Sequence, residues 1–205
     1  LFWWSGSTAS TDTVSGCTTN VGFGAGISSS SRFGINAASE DGQADSDTRR
    51  SHYTTEIMRA YTDPAGTVDG ILDFASLDAD GFTLTIDDQF SQAYRISYLA
   101  LGGADLTNVY IGNDEMVTVG GNYDVEGVGF QPDALLCASY IYASAEDNRT
   151  GELLNLGMAT GSSNQGTVAI YGRDAQATTQ TDAYGYNGEI LAGITSTGIS
   201  YRESF

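Results

Sequence analysis

Apolar and polar positions alternate with a period of two over much of the chain, and no long stretch repeats with the spacing of a helix. The clearest case is residues 80–103, DGFTLTIDDQFSQAYRISYLALGG. Phe82, Leu84 and Ile86 alternate with Thr83 and Thr85; beyond Asp87-Asp88, Tyr94, Ile96, Tyr98 and Ala100 alternate with Arg95 and Ser97. Successive side chains on a strand point to opposite faces, so each run has a dry side and a wet side. Asp80-Gly81 before the run and Gly102-Gly103 after it are turn signals. The pattern predicts two strands joined by a polar loop as a hairpin. A lone hairpin is marginal in water, so its dry face must meet a second sheet.

The rest of the chain reads in the same terms. Residues 1–5 (LFWWS) form a buried strand, and 21–27 (VGFGAGI) and 32–38 (RFGINAA) two short strands joined by serines. Residues 40–51 form a polar, charged loop; 56–62 form a strand or short helical turn ended by Asp63-Pro64; 70–77 form a strand. This order then recurs. DGQADSDT at 41–48 matches DAQATTQT at 174–181, and the same offset places Phe23-Gly24 on Leu156-Gly157. FASLDADGFTL at 74–84 matches LAGITSTGISY at 191–201 at a smaller offset, so the loop between the two blocks is shorter the second time. Residues 1–4 correspond roughly to 135–138. Ordered matches at the start, middle and end point to an internal duplication. The second copy has an approach segment, VEGVGFQPD at 125–133, and the first has a closing strand at 93–103, each without a counterpart. The expectation is a GF-x-P-like segment before Leu1 and a YLALGG-like strand after Phe205, or else a strand taken from another subunit.

Composition narrows the function classes. The chain has 205 residues, 40% apolar with 26 glycines, enough for one large or two small β domains with their own cores. The net charge is −18, and the eight cations are all arginine. Nucleic-acid binding is excluded on that balance, because phosphate contacts need a basic patch. No apolar run approaches the roughly 18 residues of a membrane-spanning helix. Cys17 lies in a polar loop and Cys137 in an apolar strand, which makes neither a disulfide framework nor a zinc pattern.

Candidate chemistry is sparse. Asp78-x-Asp80-Gly81 resembles the start of a calcium loop and is also an ordinary turn. A calcium loop opening at Asp45 and closing at Glu56 would place Arg49 and Arg50 among the ligands, which rules it out. Asp87-Asp88 and Asn113-Asp114-Glu115 could bind a divalent ion between subunits, and no metal or cofactor is assigned. His52 is the sole histidine; Ser51 beside it would point to the opposite face of a strand, so no triad and no catalytic residue is assigned. The 26 acids single out no pair for sugar hydrolysis. GFGAG lacks a following helix and basic residue and is no phosphate loop. Asn148-Arg149-Thr150 fits the N-glycosylation pattern. Trp3-Trp4, Tyr140 with Tyr142, and Tyr184 with Tyr186 could stack on sugars, although alternating aromatics serve packing more often. No ligand-binding residue is assigned.

Two stretches carry a resemblance. DGFTL…AYRISYLALGG at 80–103 and VEGVGFQPDALL at 125–136 resemble segments of structural proteins of tailed phages and related viruses, in tails or on capsid surfaces. The order GF-x-P, middle strands, GFTL and an aromatic closing strand is also similar to H-type lectin domains. That resemblance implies a small antiparallel sandwich that forms trimers and binds sugars, with a Trp near the sugar where this chain has Tyr98-Leu99-Ala100. The expected fold is all-β: two tandem antiparallel β-sandwich units of jelly-roll or H-type-lectin-like form, residues 1–103 and 104–205. The expected function is non-enzymatic and structural: a capsid-decoration or tail protein at the virion surface, partnered by copies of itself and other virion proteins. A glycan-binding host-attachment module is the second reading, and a secreted glycan hydrolase the third.

Overall fold

A computed structural model of the chain describes residues 1–5, 19–63, 65–115, 120–139, 147–195 and 198–204. Their regular structure is all β, and every strand pairing is antiparallel. The strands are β1 (Phe2–Ser5), β2 (Thr19–Ser28), β3 (Ser31–Ser39), β4 (Thr48–Tyr53), β5 (Met58–Tyr61), β6 (Val68–Leu77), β7 (Phe82–Asp88), β8 (Ile96–Tyr98), β9 (Leu135–Ser139), β10 (Asp147–Thr150), β11 (Glu152–Gly161), β12 (Asn164–Gly172), β13 (Thr181–Tyr186), β14 (Leu191–Thr195) and β15 (Gly198–Glu203). They make a six-stranded sheet in the order β10-β4-β3-β2-β1-β8, a three-stranded sheet β5-β6-β7, a four-stranded sheet β13-β12-β11-β9 and a two-stranded sheet β14-β15.

These sheets bury their apolar faces in four successive layers. On one face of the six-stranded sheet, Phe2 and Trp4 pack with Ile57, Met58, Leu72 and Phe74 of the three-stranded sheet and its lead-in. Phe2 sits edge-on to Phe82, ring centres 5.4 Å apart. On its other face, Ile35 and Ala37 pack with Leu154 of the four-stranded sheet, flanked by Val21, Phe23, Ala138 and Leu156. The far face of that sheet closes on the two-stranded one: Leu153 and Ala169 against Ile194, and Ala159 against Ile190 and Leu191. Each leucine, isoleucine, methionine or phenylalanine side chain fully removed from water here contributes about 1.5–3 kcal/mol.

The strand registers repeat along the chain, at the offset that carries the loop at 41–48 onto 174–181. Phe23 faces Ile35 in β2/β3, and Leu156 faces Val168 in β11/β12. Gly34 faces Tyr53 in β3/β4, and Thr167 faces Tyr186 in β12/β13. Phe2 faces Gly24, while Cys137 faces Gly157, so residues 1–4 correspond to 136–139, one position beyond the 135–138 expected from sequence. Both of these glycines mark a close approach. A Cβ on Gly24 would land on the carbonyl oxygen of Ile57, and a Cβ on Gly157 on that of Ile190, again at the same offset.

Several expectations need correction. The hairpin over residues 80–103 does not form: β7 pairs with β6 in one sheet, and β8 pairs with β1 in another. The intervening loop is an arch over the end of the core. Asp69 holds it, accepting from the Ser91 amide (3.1 Å) and the Tyr94 hydroxyl (3.3 Å), while the Phe90 ring rests over Gly70. Phe90 and Tyr94 therefore spend their apolar surface on the core rather than on a partner strand. Residues 48–51, expected within the loop at 40–51, belong instead to β4, where Thr48, Ser51 and Tyr53 are buried. Of the two forms expected for 56–62, the structure has the strand, over residues 58–61. The 103/104 boundary falls at the start of a long connection, residues 99–134, whose described part contains no strand. From beyond it, β10 returns to pair with β4 at the edge of the six-stranded sheet. Cys17, Pro64, Tyr140 and Tyr142 lie outside the described residues.

Cys137 is a free thiol on the inner face of β9, packed beside Ala159, Ile190 and Leu191. Burial, and then the Glu203 carboxylate, push its pKa up to about 11. A thiol reacts as its thiolate. Peptide mapping after brief alkylation at neutral pH is expected to find Cys137 unmodified in the folded protein and fully modified in denaturant. Rapid labelling of the folded form would contradict the packing of β9.

Candidate functional site

Two places gather polar and aromatic side chains. The first is where the loops that match in sequence meet. The loop before β4 is closed by the Glu40 amide donating to Asp47 O (2.9 Å), and the loop before β13 by the Arg173 amide donating to Gln180 O (3.0 Å). Gly42 and Ala175 hold equivalent positions in the two loops, and both adopt a left-handed backbone, with φ of 79° and 53°. Only glycine enters that region without steric cost, so at Ala175 the surroundings must hold it. They do: the Ala175 amide donates to Ser46 O (2.7 Å), the Ser46 amide to Gln176 O (2.8 Å), and the Thr48 amide to the Asp174 carboxylate (2.8 Å). The loops enclose a polar cleft of about 180 Å³ lined by Glu40, Asp41, Asp45, Arg173 and neighbouring amides.

Burial, and then the Asp174 carboxylate, raise the Asp47 carboxyl above its ordinary 3.8. A carboxyl raised by folding contributes stability that is complete below its unfolded value and is lost as pH rises through the folded one. Asp174→Asn removes the charge yet keeps an oxygen for the Thr48 amide. The expected outcome is an Asp47 that titrates closer to its ordinary value, with a smaller gain in stability on mild acidification, read by carbon-13 NMR of the carboxyl. An unmoved Asp47 would contradict the contact.

The second place is an aromatic cradle that occurs twice, on Tyr53-Thr54-Thr55-Glu56-Ile57 and Tyr186-Asn187-Gly188-Glu189-Ile190. In the first, Glu56 is buried and ion-paired with Arg59, whose Nε donates to it (2.6 Å). Arg59 lies over the Tyr53 ring at 4.9 Å, and the Arg59 amide donates to the Tyr53 hydroxyl (3.0 Å). Tyr53 is completely buried, which raises its phenol well above the usual range. In the second, Glu189 is buried and ion-paired with Arg202 (3.1 Å), and it accepts from the Tyr184 hydroxyl (2.9 Å). Arg202 lies near the Tyr186 ring, and Tyr184 stacks on Tyr186 at 6.2 Å and 22°. Here Tyr186 is 49% exposed.

One residue accounts for the difference. The Tyr53 ring occupies the notch left by Gly34, where a Cβ would strike Cε2 of that ring. The position facing Tyr186 is Thr167, which has a side chain and uses it: its hydroxyl donates to the buried Asn155 (2.7 Å). The notch is filled, and Tyr186 stands outside. The result is an open shelf of two tyrosines with an arginine at its rim, able to take a flat apolar face beside a hydrogen-bonding group.

The other candidates resolve into structural roles. Asp78 is an exposed turn acid that accepts from Ser76 (2.8 Å) and Thr83 (2.7 Å), which holds its carboxyl below the ordinary value. Asp45 is exposed in the first loop and Glu56 is tied to Arg59, so the two are not brought together. His52 lies on β4 within hydrogen-bond distance of Asn113 (2.8 Å). Asp114 accepts from the Tyr123 hydroxyl (2.6 Å). Asp87 and Asp88 end β7, and both are exposed. The described residues hold no cluster of three or more metal-ligating side chains. Trp4 is core, whereas Trp3 is exposed on the opposite face of β1. Asn148-Arg149-Thr150 is part of β10. The two cradles do not register in the alternation of apolar positions; the recurring offset between the two halves is the signal that finds them. No family model, curated protein or solved structure matches the chain.

Proposed function

We propose that this chain is a non-enzymatic structural protein of a virion surface, a capsid-decoration or tail component built from two copies of one antiparallel sandwich plan, residues 1–103 and 104–205. The observation that carries the reading is the use made of the buried acids. Among the described residues Glu56, Asp69 and Glu189 are buried, and each is committed to holding the fold: Glu56 to Arg59, Asp69 to the arch at Ser91 and Tyr94, Glu189 to Arg202 and Tyr184. Acids that catalyse face one another across a cleft; these serve as pegs between strands. The recurring registers support the duplication, and the viral segments resembled by residues 80–103 and 125–136 supply the setting. The test is protein mass spectrometry of purified particles with Fab-labelled electron microscopy. The expected result is the chain at the particle surface in symmetry-related positions; a chain confined to the infected cell would overturn the reading.

A glycan-binding host-attachment module is the second reading. The Tyr184–Tyr186 shelf with Arg202 favours it, because an exposed aromatic beside a polar group is what a sugar ring stacks on. Glycan-array binding lost in Tyr186→Ala would support this reading, and an array on which the unaltered protein binds nothing would remove it.

A further inference from the structure

We propose that the outer face of the four-stranded sheet is a self-docking surface, which a second copy of this chain covers with the same face about a twofold axis. The inference deepens the scaffold reading, on which it rests for its setting, by naming the partner and the face.

The face is defined by register. Leu136 of β9 pairs with Met158 of β11, Met158 pairs with Gly166 of β12, and Val168 of β12 pairs with Gly185 of β13. Directly paired residues on antiparallel strands share a face, as do alternate residues along a strand, so Ile170 joins them. Leu136 is 50% exposed, Met158 62% and Val168 60%, and Ile170 is exposed as well. Gly166 and Gly185 bring no side chain to shield them. Scattered exposed apolar residues are ordinary; four on one sheet face, with only glycine between, form a contiguous patch of the kind that marks an interaction site.

Three observations identify the occupant. First, the patch continues an interface the molecule already makes. Leu154 and Leu156 lie on this same face, and the six-stranded sheet covers them with Ile35 and Ala37. Second, the residues at the corresponding places show what the face is built to meet. Ile35 and Ala37 hold in β3 the places that Val168 and Ile170 hold in β12, and both are completely buried beneath a sheet. Third, charge selects the place. Copies of a chain carrying −18 repel one another, so they associate most readily through uncharged side chains, and Leu136, Met158, Val168 and Ile170 are uncharged. A face that meets its own copy closes in a twofold dimer, the commonest assembly of a single chain.

The experiment is light scattering on the whole chain over a wide concentration range, beside Met158→Asp and Val168→Asp. The expected result is twice the chain mass for the unaltered protein and the single-chain mass for both variants, with circular dichroism and melting unchanged. An unaltered protein that stays at single-chain mass at every concentration overturns the inference. So does a folded variant that still dimerises. Should a variant fail to fold, the Met158 methyl resonance of the unaltered protein decides: a concentration-dependent shift is expected, and a fixed position overturns the proposal. A monomer found on particles would sink this inference and leave the scaffold reading standing; a dimer absent from particles would do the reverse.

Discussion

Gly157→Ala is expected to be among the most destabilising single-methyl changes the chain can suffer, at about 3 kcal/mol, within the upper range for overpacking a rigid site. The added methyl would fall on the Ile190 carbonyl oxygen, a backbone atom with nowhere to go. Ile190 begins the crossing to the two-stranded sheet, its amide donating to Glu203 O (2.7 Å), and its side chain is core with Ala159 and Leu191. Relief would have to lift the two sheets apart. For a chain of this size the melting temperature should fall by about 6–12 °C. Gly24→Ala meets the Ile57 carbonyl in the same way and should behave alike. Gly81→Ala is the control: nothing lies within 4 Å of the new methyl, and the change should stay within about 0.5 kcal/mol. Thermal melts of the three variants check this, and a tolerated Gly157→Ala would mean that the sheets do not approach as described.

The second large effect is a reciprocal exchange. Gly34→Thr should expel Tyr53 from its notch, because the new side chain meets that ring and also the Ile57 carbonyl at 2.8 Å. The loss includes the burial of an aromatic ring and the hydrogen bond from the Arg59 amide, together about 3 kcal/mol or more. Thr167→Gly should act in the opposite sense on Tyr186, opening the space into which its ring can withdraw. That variant also leaves the Asn155 carbonyl oxygen short of its Thr167 donor, at about 1–3 kcal/mol, so stability alone would mislead. Tyrosine nitration with peptide mapping separates the two effects. In the unaltered protein Tyr186 should react and Tyr53 should not; Gly34→Thr should make Tyr53 reactive, and Thr167→Gly should protect Tyr186. A Tyr186 equally reactive in both proteins would mean that something other than Thr167 holds it out.

How far the fold can be read from sequence depends on what each side of a strand has to do. β2, β3 and β6 follow from their apolar residues, and the paired loops at 41–48 and 174–181 from their repeated letters. The layer between the six- and three-stranded sheets does not. In β3, residues 34–38 read Gly-Ile-Asn-Ala-Ala, a run that looks half wet, yet all five are buried. Gly34 leaves room for a ring, and Asn36 reaches across to donate to Arg59 O (3.0 Å). Asn20 does likewise with Tyr61, donating to its carbonyl (3.1 Å) and accepting from its amide (3.0 Å). Small and amide-bearing residues here tie one sheet to the backbone of the next, and hydropathy counts them as exposed. The separation of β7 from β8 is hidden for a similar reason. Alternation states which face of a strand is dry but not which sheet receives it, and the Asp69 contacts that settle the matter come from a strand earlier in the chain. The open shelf at Tyr186 is legible only in part: its tyrosines stand out in the sequence, whereas their exposure depends on Thr167 standing where Gly34 stands earlier.

The ladders β2/β3/β4 and β11/β12/β13 share one register at a constant offset, and the proposal of a strand plan laid down twice rests on it. The most direct check is the map of interstrand NMR contacts between backbone protons in β2/β3 and β11/β12. Each pair observed in the first ladder should have its counterpart in the second: Phe23 with Ile35 returns as Leu156 with Val168, and Val21 with Ala37 as Leu154 with Ile170. A second ladder shifted by even one position would turn Leu154 and Leu156 away from Ile35, and the repeated plan would be contradicted.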